Sequence, residues 1–443
     1  NYPVLGRFRY VFEKTGEFFR QYLFAGDREE LPFNRAVRSW VYRAAKNING
    51  TVAFGSTVNI QQPGTILFAS SVFPVQEFDA KPVAEVTIGD NCQQPYSTSS
   101  IINISAMSYG AISRPAVLSL AQGAKQAGCW LNTGEGGLSP YHLQGGCDLV
   151  VQIGTAKYGV RDNKGKLDHG KLRKLATYPQ VKMFEIKLSQ GAKPGKGGIL
   201  PGIKVTAEIA EIRGITLGED SISPNAHREI NSVSDLLAMI NEIRQETGKP
   251  VGFKTVLGMT DWLQELCLLI KQKGEDFAPD FITLDSADGG TAAAPQAHMD
   301  YVGLPIQQSL PWLVDLLKQH GLKKRIKIIA SGKLITPSKV AWALAAGADF
   351  VNSARGFMFA LGCIQAMQCN KNTCPTGITT HNKKLQQGLV VADKTKRVVN
   401  YQRNLTRAVE QIAHSCGVTE PRGLRLKHIR MVGANGEIIT PGK

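Results

Sequence analysis

The sequence predicts an α/β fold, a (β/α)8 TIM barrel with an N-terminal extension and a C-terminal helical tail, and three observations predict it. Eight short β-rich runs lie between Ile101 and Ala354. Helix-length amphipathic stretches separate most of them, as parallel strands require, because each needs a crossover. The competing architecture, a doubly wound dinucleotide sheet, would show an early G-x-G-x-x-G turn, which is absent after the first run.

Taken in order, the first ninety or so residues mix aromatics (Phe8, Tyr10, Phe12, Phe18, Phe19, Tyr22 and Phe24) with charges and have no clean repeat. Helices and extended segments packing on the rest of the chain are expected there. Strands are expected at Ile101–Ser105, Cys129–Asn132, Val150–Gly154, Phe184–Leu188, Val251–Thr255, Phe281–Asp285, Ile326–Ser331 and Phe350–Ala354. Helices are expected at Ser113–Ala127, Thr206–Arg213, Ser232–Thr247, Asp261–Lys273, Gln307–His320 and Pro337–Ala346, several opened by a Ser, Thr or Asp cap. The chain therefore divides into an extension (1–95), the barrel with its cysteine loop (96–380) and a basic tail (381–443).

Composition bounds the function. With 443 residues, 43% hydrophobic and 20% charged, the chain falls in the globular range. Apolar runs such as the one around Phe350 to Leu361 are broken by Arg355 or glycines, short of the ~20 residues that cross a bilayer. The net charge of +16 invites a nucleic-acid reading, but half of it sits from His381 onward, with 12 basic and 4 acidic residues. No zinc finger, aromatic platform or basic-helix motif accompanies it, so no nucleic acid is expected. The tail reads as a solvated basic face or as a docking surface for an acidic partner or anionic lipid. Three of the eight cysteines fall within twelve residues, which points to a cofactor site in a reducing compartment, hence the cytoplasm. The chain opens on Asn1 rather than Met, which leaves membrane association through an upstream segment open.

In a barrel the chemistry sits just after each strand. The first two strands are followed by Ser105-Ala-Met107-Ser108-Tyr-Gly-Ala111 and Asn132-Thr-Gly-Glu135-Gly-Gly137. These small-residue turns admit a flat ligand, though ordinary βα turns read the same way. Lys254 on the fifth strand puts a cation at the mouth, suited to an anionic ring or to a salt bridge. Gly289 and Gly290 after strand six, Gly332 and Lys333 after strand seven, and Arg355 and Gly356 after strand eight mark a phosphate site. The fourth loop supplies Lys187, Gln190 and Lys193, with Arg213 further on, cations and an amide fit for a dicarboxylic acid. Cys363, Cys369 and Cys374 form C-x5-C-x4-C-P. Three thiolates suit a three-iron cluster, and zinc with His381 as fourth ligand is the alternative.

Five motifs in order, SAMSYGA, NTGEGG, KLSQGAKPGKGG-x-LPG, DGGT and C-x5-C-x4-C-P, resemble the FMN-binding synthase domain of glutamate synthases, specifically its stand-alone bacterial form, from about Ile101 to His381. The resemblance implies FMN, a 3Fe-4S cluster on Cys363, Cys369 and Cys374, and reductive amination of 2-oxoglutarate by ammonia to L-glutamate. It implies that Lys187, Gln190, Lys193 and Arg213 bind 2-oxoglutarate, with Glu135 near the reacting centre. Met107, Ser108 and Lys254 would face the flavin ring, and Gly289, Gly290, Gly332, Lys333, Arg355 and Gly356 its phosphate end. Glutamine-dependent members carry a glutaminase domain with an N-terminal catalytic Cys and a long β-helix. This chain is too short for either, so ammonia is expected from solution or a partner. Lys196 and Ile199 stand where relatives commonly carry an acid and an amide, and Ala292 where they carry Gly. No nicotinamide fingerprint appears, so the expected electron donor is ferredoxin or a reductase subunit. A methylated amine, another 2-oxo acid, or an electron-transfer subunit docked through the basic tail are the alternatives.

Overall fold

The structure, a computed structural model, describes residues 23–441 and, before them, residues 8, 11, 12, 15, 16 and 19. Eight parallel strands close into a barrel. They are β1 (Ile102–Ile104), β2 (Leu131–Asn132), β3 (Leu149–Ile153), β4 (Val181–Lys187), β5 (Val251–Val256), β6 (Phe281–Asp285), β7 (Lys327–Ser331) and β8 (Phe350–Ser353). Closure comes from β8 pairing with β1, Val351 opposite Ile102 and Ser353 opposite Ile104. Each expected run supplies one strand. Both faces of a barrel strand are covered, so these strands read as continuous apolar runs, and every residue of β3, β5, β6 and β8 is buried.

The six expected helices form as well, at Arg114–Ala127, Ala207–Arg213, Val233–Thr247, Asp261–Lys273, Ile306–Gln319 and Pro337–Ala345. Thr206 and Ser232 cap theirs by accepting from the backbone N–H of Ile209 and Asp235. Ser113 and Thr336 make no such bond, and a Pro in the first turn starts those helices instead. Short helices at Pro140–Gly145, His169–Ala176 and Arg355–Leu361 were not expected, because two turns carry too few apolar positions to show a period.

The barrel interior is layered. A hairpin, Val86–Ile88 against Tyr96–Thr98, sends Ile88 and Tyr96 into an apolar plug with Trp130, Met183, Phe281 and Phe350. Above it lies a polar layer in which buried Glu185 accepts from Asn132 Nδ2 at 2.8 Å, Gln152 Nε2 at 2.7 Å and Thr283 Oγ1 at 2.5 Å. A buried carboxylate is tolerable only when so satisfied. One end of the barrel is thus sealed and the other is polar.

The tail is part of the body. Its 25-residue helix, Val391–Ser415, buries Val398, Tyr401, Leu405, Val409 and Ala413. It approaches the Arg114–Ala127 helix so closely that a Cβ at Gly123 would lie 2.4 Å from Val398 Cγ1. The strand Ile429–Val432 then pairs antiparallel with Ile66–Phe68, joining tail and extension in one small sheet. The extension packs through the helix Arg35–Ala45, which buries Arg38, Val41, Ala44 and Ala45. Phe8, Phe12, Phe19 and Phe24 are exposed rather than packed, and Tyr10, Phe18 and Tyr22 lie outside the described residues. No described helix is long and apolar enough to cross a membrane.

Candidate active site

A cleft, open at its mouth, lies over the C-terminal ends of the strands. Met107, Ser108, Glu135, Lys187, Gln190, Lys193, Arg213, Lys254, Gly290, Gly332, Lys333 and Arg355 all line it. Gly289 lines the adjoining pocket instead. Gly356 lines neither: its α-carbon faces Tyr401, whose hydroxyl would lie 2.1 Å from an added Cβ, and its N–H is donated to Ser353 Oγ at 3.3 Å.

Glu135 and Lys187 are the centre of the cleft. Lys187 Nζ donates to Glu135 Oε1 and to Gln190 Oε1, both at 2.5 Å. Glu135 fits only because its neighbours are glycines: an added Cβ at Gly154 would lie 2.6 Å from Oε2, and one at Gly198 would lie 2.2 Å from Oε1. Burial pushes the Glu135 carboxyl up, but Lys187, Lys193 and Arg213 outweigh it and hold the group below the usual range. It is therefore a carboxylate at neutral pH.

Lys193 and Arg213 are different. Both are buried, yet among the described residues neither has a carboxylate within ion-pair distance. Lys193 Nζ donates to the Ala293 carbonyl at 3.0 Å. Arg213 donates to Ser221 Oγ at 3.2 Å, Ser108 Oγ at 3.3 Å and the Tyr109 carbonyl at 3.3 Å. Its guanidinium lies 5.2 Å over the Tyr158 ring, and its buried Nε has no hydrogen-bond partner among the described residues. Burial, reinforced by the charge of Lys187, lowers the Lys193 pKa to about 8, and burial lowers that of Arg213. Uncompensated buried cations are unfavourable unless an anion joins them.

The other cations have partners. Lys254 Nζ lies 3.1 Å from Asp285. Burial pulls its pKa down, but Asp285 and, less strongly, Glu185 raise it overall. Asp285 also accepts from the Gly191 N–H at 3.0 Å, tying the fourth loop to the mouth. Lys333 lies 3.0 Å from Asp288, and Arg355 donates to the Thr291 carbonyl. At Gly134 a Cβ would lie 2.5 Å from the Ser108 nitrogen, and at Gly332 one would lie 2.2 Å from Ser286 Cβ. Only glycine fits there, so neighbouring loops pack backbone to backbone along the cleft wall.

Cys363, Cys369 and Cys374 line one adjoining pocket. Among the described residues no set of three ligating side chains converges on a single-ion site, and His381 Nε2 is engaged by the Gly110 carbonyl at 2.9 Å. Burial raises the Cys374 pKa, but hydrogen bonds from Thr376 and Thr379 outweigh it and favour the thiolate, whereas burial leaves Cys363 raised. The cleft and this pocket share Met358, Cys369 and Thr379. Buried Lys204 joins the two sides by donating to the Ala111 carbonyl at 2.6 Å and the Cys369 carbonyl at 3.3 Å. Met358, Thr379, Lys204 and Asp285 are site residues that motif reading misses. Their only sequence signal is a place in or near a motif, and their roles come from contacts distant in the chain.

A parallel α/β barrel whose open end carries a cation-rich cleft beside a three-cysteine pocket defines a (β/α)8-barrel protein with its candidate site at the C-terminal ends of the strands. The profile described as conserved region in glutamate synthase matches residues 69–419. The Glutamate synthase large subunit-like protein YerD of Bacillus subtilis is 40% identical over 479 aligned residues, covering 99% of this chain and 90% of that protein. An archaeal glutamate synthase of Methanocaldococcus jannaschii, with NADPH in its name, is 32% identical, covering 82% of this chain and 68% of that one. The chain belongs to the glutamate synthase family. In structure it is similar to the flavin-binding domain of baker's yeast flavocytochrome b2, with TM-score 0.51 and 14% identity, covering 92% of this chain and 81% of that one. It is also similar to a chimera of (S)-mandelate dehydrogenase, with TM-score 0.54 and 12% identity, covering 89% and 98%. At such identities the likeness concerns the fold alone.

Proposed function

We propose that the protein is an FMN- and 3Fe-4S-dependent oxidoreductase that converts 2-oxoglutarate and ammonia to L-glutamate. The observation that carries this reading is the pair Lys193 and Arg213, two buried cations without carboxylate partners among the described residues, beside the Lys187–Glu135 pair. A dicarboxylate supplies the two missing negative charges, and charge-assisted hydrogen bonds to both ends fix the keto carbon between them. Gln190, held by Lys187, orients the fourth loop around it.

Glu135, ionised and wedged between Gly154 and Gly198, takes the proton released as ammonia adds to the keto carbon and returns it as water leaves. Lys187 keeps that carboxylate in one rotamer. The glycine-walled cleft suits FMN, with Met107, Ser108 and the charged Lys254 toward its ring and Gly290, Gly332, Lys333 and Arg355 toward its phosphate. When bound, FMN supplies the hydride, and a cluster on Cys363, Cys369 and Cys374 carries electrons in from an external donor such as ferredoxin or a reductase subunit. The shared wall at Met358 and Cys369 supports that route.

The test is anaerobic stopped-flow reoxidation of the photoreduced protein by 2-oxoglutarate, with and without ammonium. Ammonium-dependent reoxidation yielding glutamate is expected. Reoxidation indifferent to both compounds would sink the proposal, and reoxidation only with methylamine or another 2-oxo acid would redirect it.

A further inference from the structure

The segment 30–45 of the N-terminal extension is built against the cysteine loop, not merely onto the barrel. The Tyr42 hydroxyl donates to the Cys363 carbonyl at 2.6 Å. Arg38, buried and paired with Glu30, donates to the Ile364 carbonyl at 3.4 Å. The Gln365 amide donates to Glu30 Oε1 at 2.7 Å and to the Phe33 carbonyl at 3.1 Å. Phe33 and Tyr42 pack edge-on against Phe359, with ring centroids 5.3 and 6.1 Å away, in the helix that leads into Cys363. Leu31, Pro32 and Phe33 complete the wall of the pocket that Cys363, Cys369 and Cys374 line.

The gripped loop is one that does not favour its own shape. Gln365 and Met367 adopt φ of +59° and +51°, left-handed conformations that persist in non-glycine residues only when the surroundings hold them. The Tyr42 and Gln365 bonds hold the chain where that curl begins, and the residues that supply their other halves lie more than 300 positions upstream.

We propose that residues 30–45 are a component of the iron–sulfur site: they clamp the Cys363 end of the ligand loop and form one wall of its pocket, so that cluster retention depends on them while barrel folding does not. This rests on the reading of the three cysteines as cluster ligands. Local opening of the loop exposes the cluster to solvent and chelators, and each clamp bond lowers the population of that open form. The clamp residues act through the loop and are positioning residues.

The test uses the full chain, reconstituted anaerobically with iron, sulfide and FMN, and follows iron loss to a ferrous chelator such as bathophenanthroline. Tyr42→Phe removes one clamp bond. Gln365→Asn shortens the amide out of reach while keeping a residue that tolerates positive φ. Tyr42→Phe is expected to lose iron roughly fivefold to tenfold faster, the shift expected when one net hydrogen bond is removed from a local opening equilibrium, and Gln365→Asn, which gives up the bonds to both Glu30 and Phe33, at least as fast. Flavin content and melting temperature should stay near those of the parent protein. If the parent protein takes up no iron and sulfide, the cluster reading fails and the clamp with it. If the parent holds a cluster and both variants lose iron at its rate, the clamp alone is overturned. Loss of flavin and iron together with a lowered melting temperature overturns it too, in favour of a general structural role.

Discussion

Replacing Lys193 with Met separates ligand binding from folding in one experiment. Lys193 is 3% exposed, and its pKa falls from 10.5 to about 8 through burial and the charge of Lys187. A displacement of that size corresponds to ~3 kcal/mol at ~1.4 kcal/mol per unit. Because the folded value lies below the unfolded one, the group destabilises the fold fully below about pH 8, and the penalty disappears as the pH rises toward 10.5. Methionine fills similar space without charge. Lys193→Met thus removes ~3 kcal/mol of penalty and loses ~1 kcal/mol with the Ala293 bond, a net gain of ~2 kcal/mol and a few degrees in melting temperature. Binding should move the other way. Losing a charge-assisted hydrogen bond of ~1.5–3 kcal/mol weakens 2-oxoglutarate by roughly 10- to 150-fold. In the parent protein the bound dianion keeps the proton on Lys193, so affinity should be flat below about pH 8 and fall ~tenfold per unit above it. Scanning calorimetry of the ligand-free holoprotein, with titration calorimetry between about pH 7 and 9, checks both halves. A lower melting temperature with unchanged, pH-independent affinity would refute the reading of Lys193 as an uncompensated cation awaiting an anion.

Other outcomes come from the same geometry. Glu135→Gln keeps the shape wedged between Gly154 and Gly198 but removes the base, so single-turnover imine formation and reduction should slow by ~10²–10⁴-fold; a rate near that of the parent protein would show that the carboxylate is not needed. Gly198→Ala puts a methyl 2.2 Å from Glu135 Oε1, and activity at or below the Glu135→Gln level is expected; full activity in the same assay would contradict the wedge. Gly356→Ala sets a Cβ 2.1 Å from the Tyr401 hydroxyl and should cost ~1–3 kcal/mol by overpacking. Tyr401→Phe, which itself loses a bond to the Ile335 carbonyl, should recover at least ~0.5 kcal/mol of that in a denaturation double-mutant cycle, and strict additivity would argue against the clash.

The strands were legible because burial on both faces leaves continuous apolar runs such as Phe281–Asp285, a signal carried by consecutive residues. The motif glycines were legible for a related reason: their spacing marks where backbone must approach backbone, and Gly134 and Gly332 do face neighbours that exclude a Cβ. Gly356 shows the limit. It sits in the same kind of motif as Arg355, yet it serves the packing of Tyr401 rather than the cleft. The exposed Phe8, Phe12, Phe19 and Phe24 mark another limit, since aromatic content alone does not say what an aromatic packs against.

The barrel, the order of its loops and the residue types at its mouth follow from local pattern and spacing, and are legible along the chain. The folded arrangement sets which cations keep their charge uncompensated. Lys187, Lys254 and Lys333 meet Glu135, Asp285 and Asp288, while Lys193 and Arg213 meet only neutral groups among the described residues. It also decided that the Arg35–Ala45 helix grips the cysteine loop. Ion pairs and clamps of this kind join segments far apart in the chain, and Coulomb energy and burial depend on distance in space, which no run of neighbouring residues records.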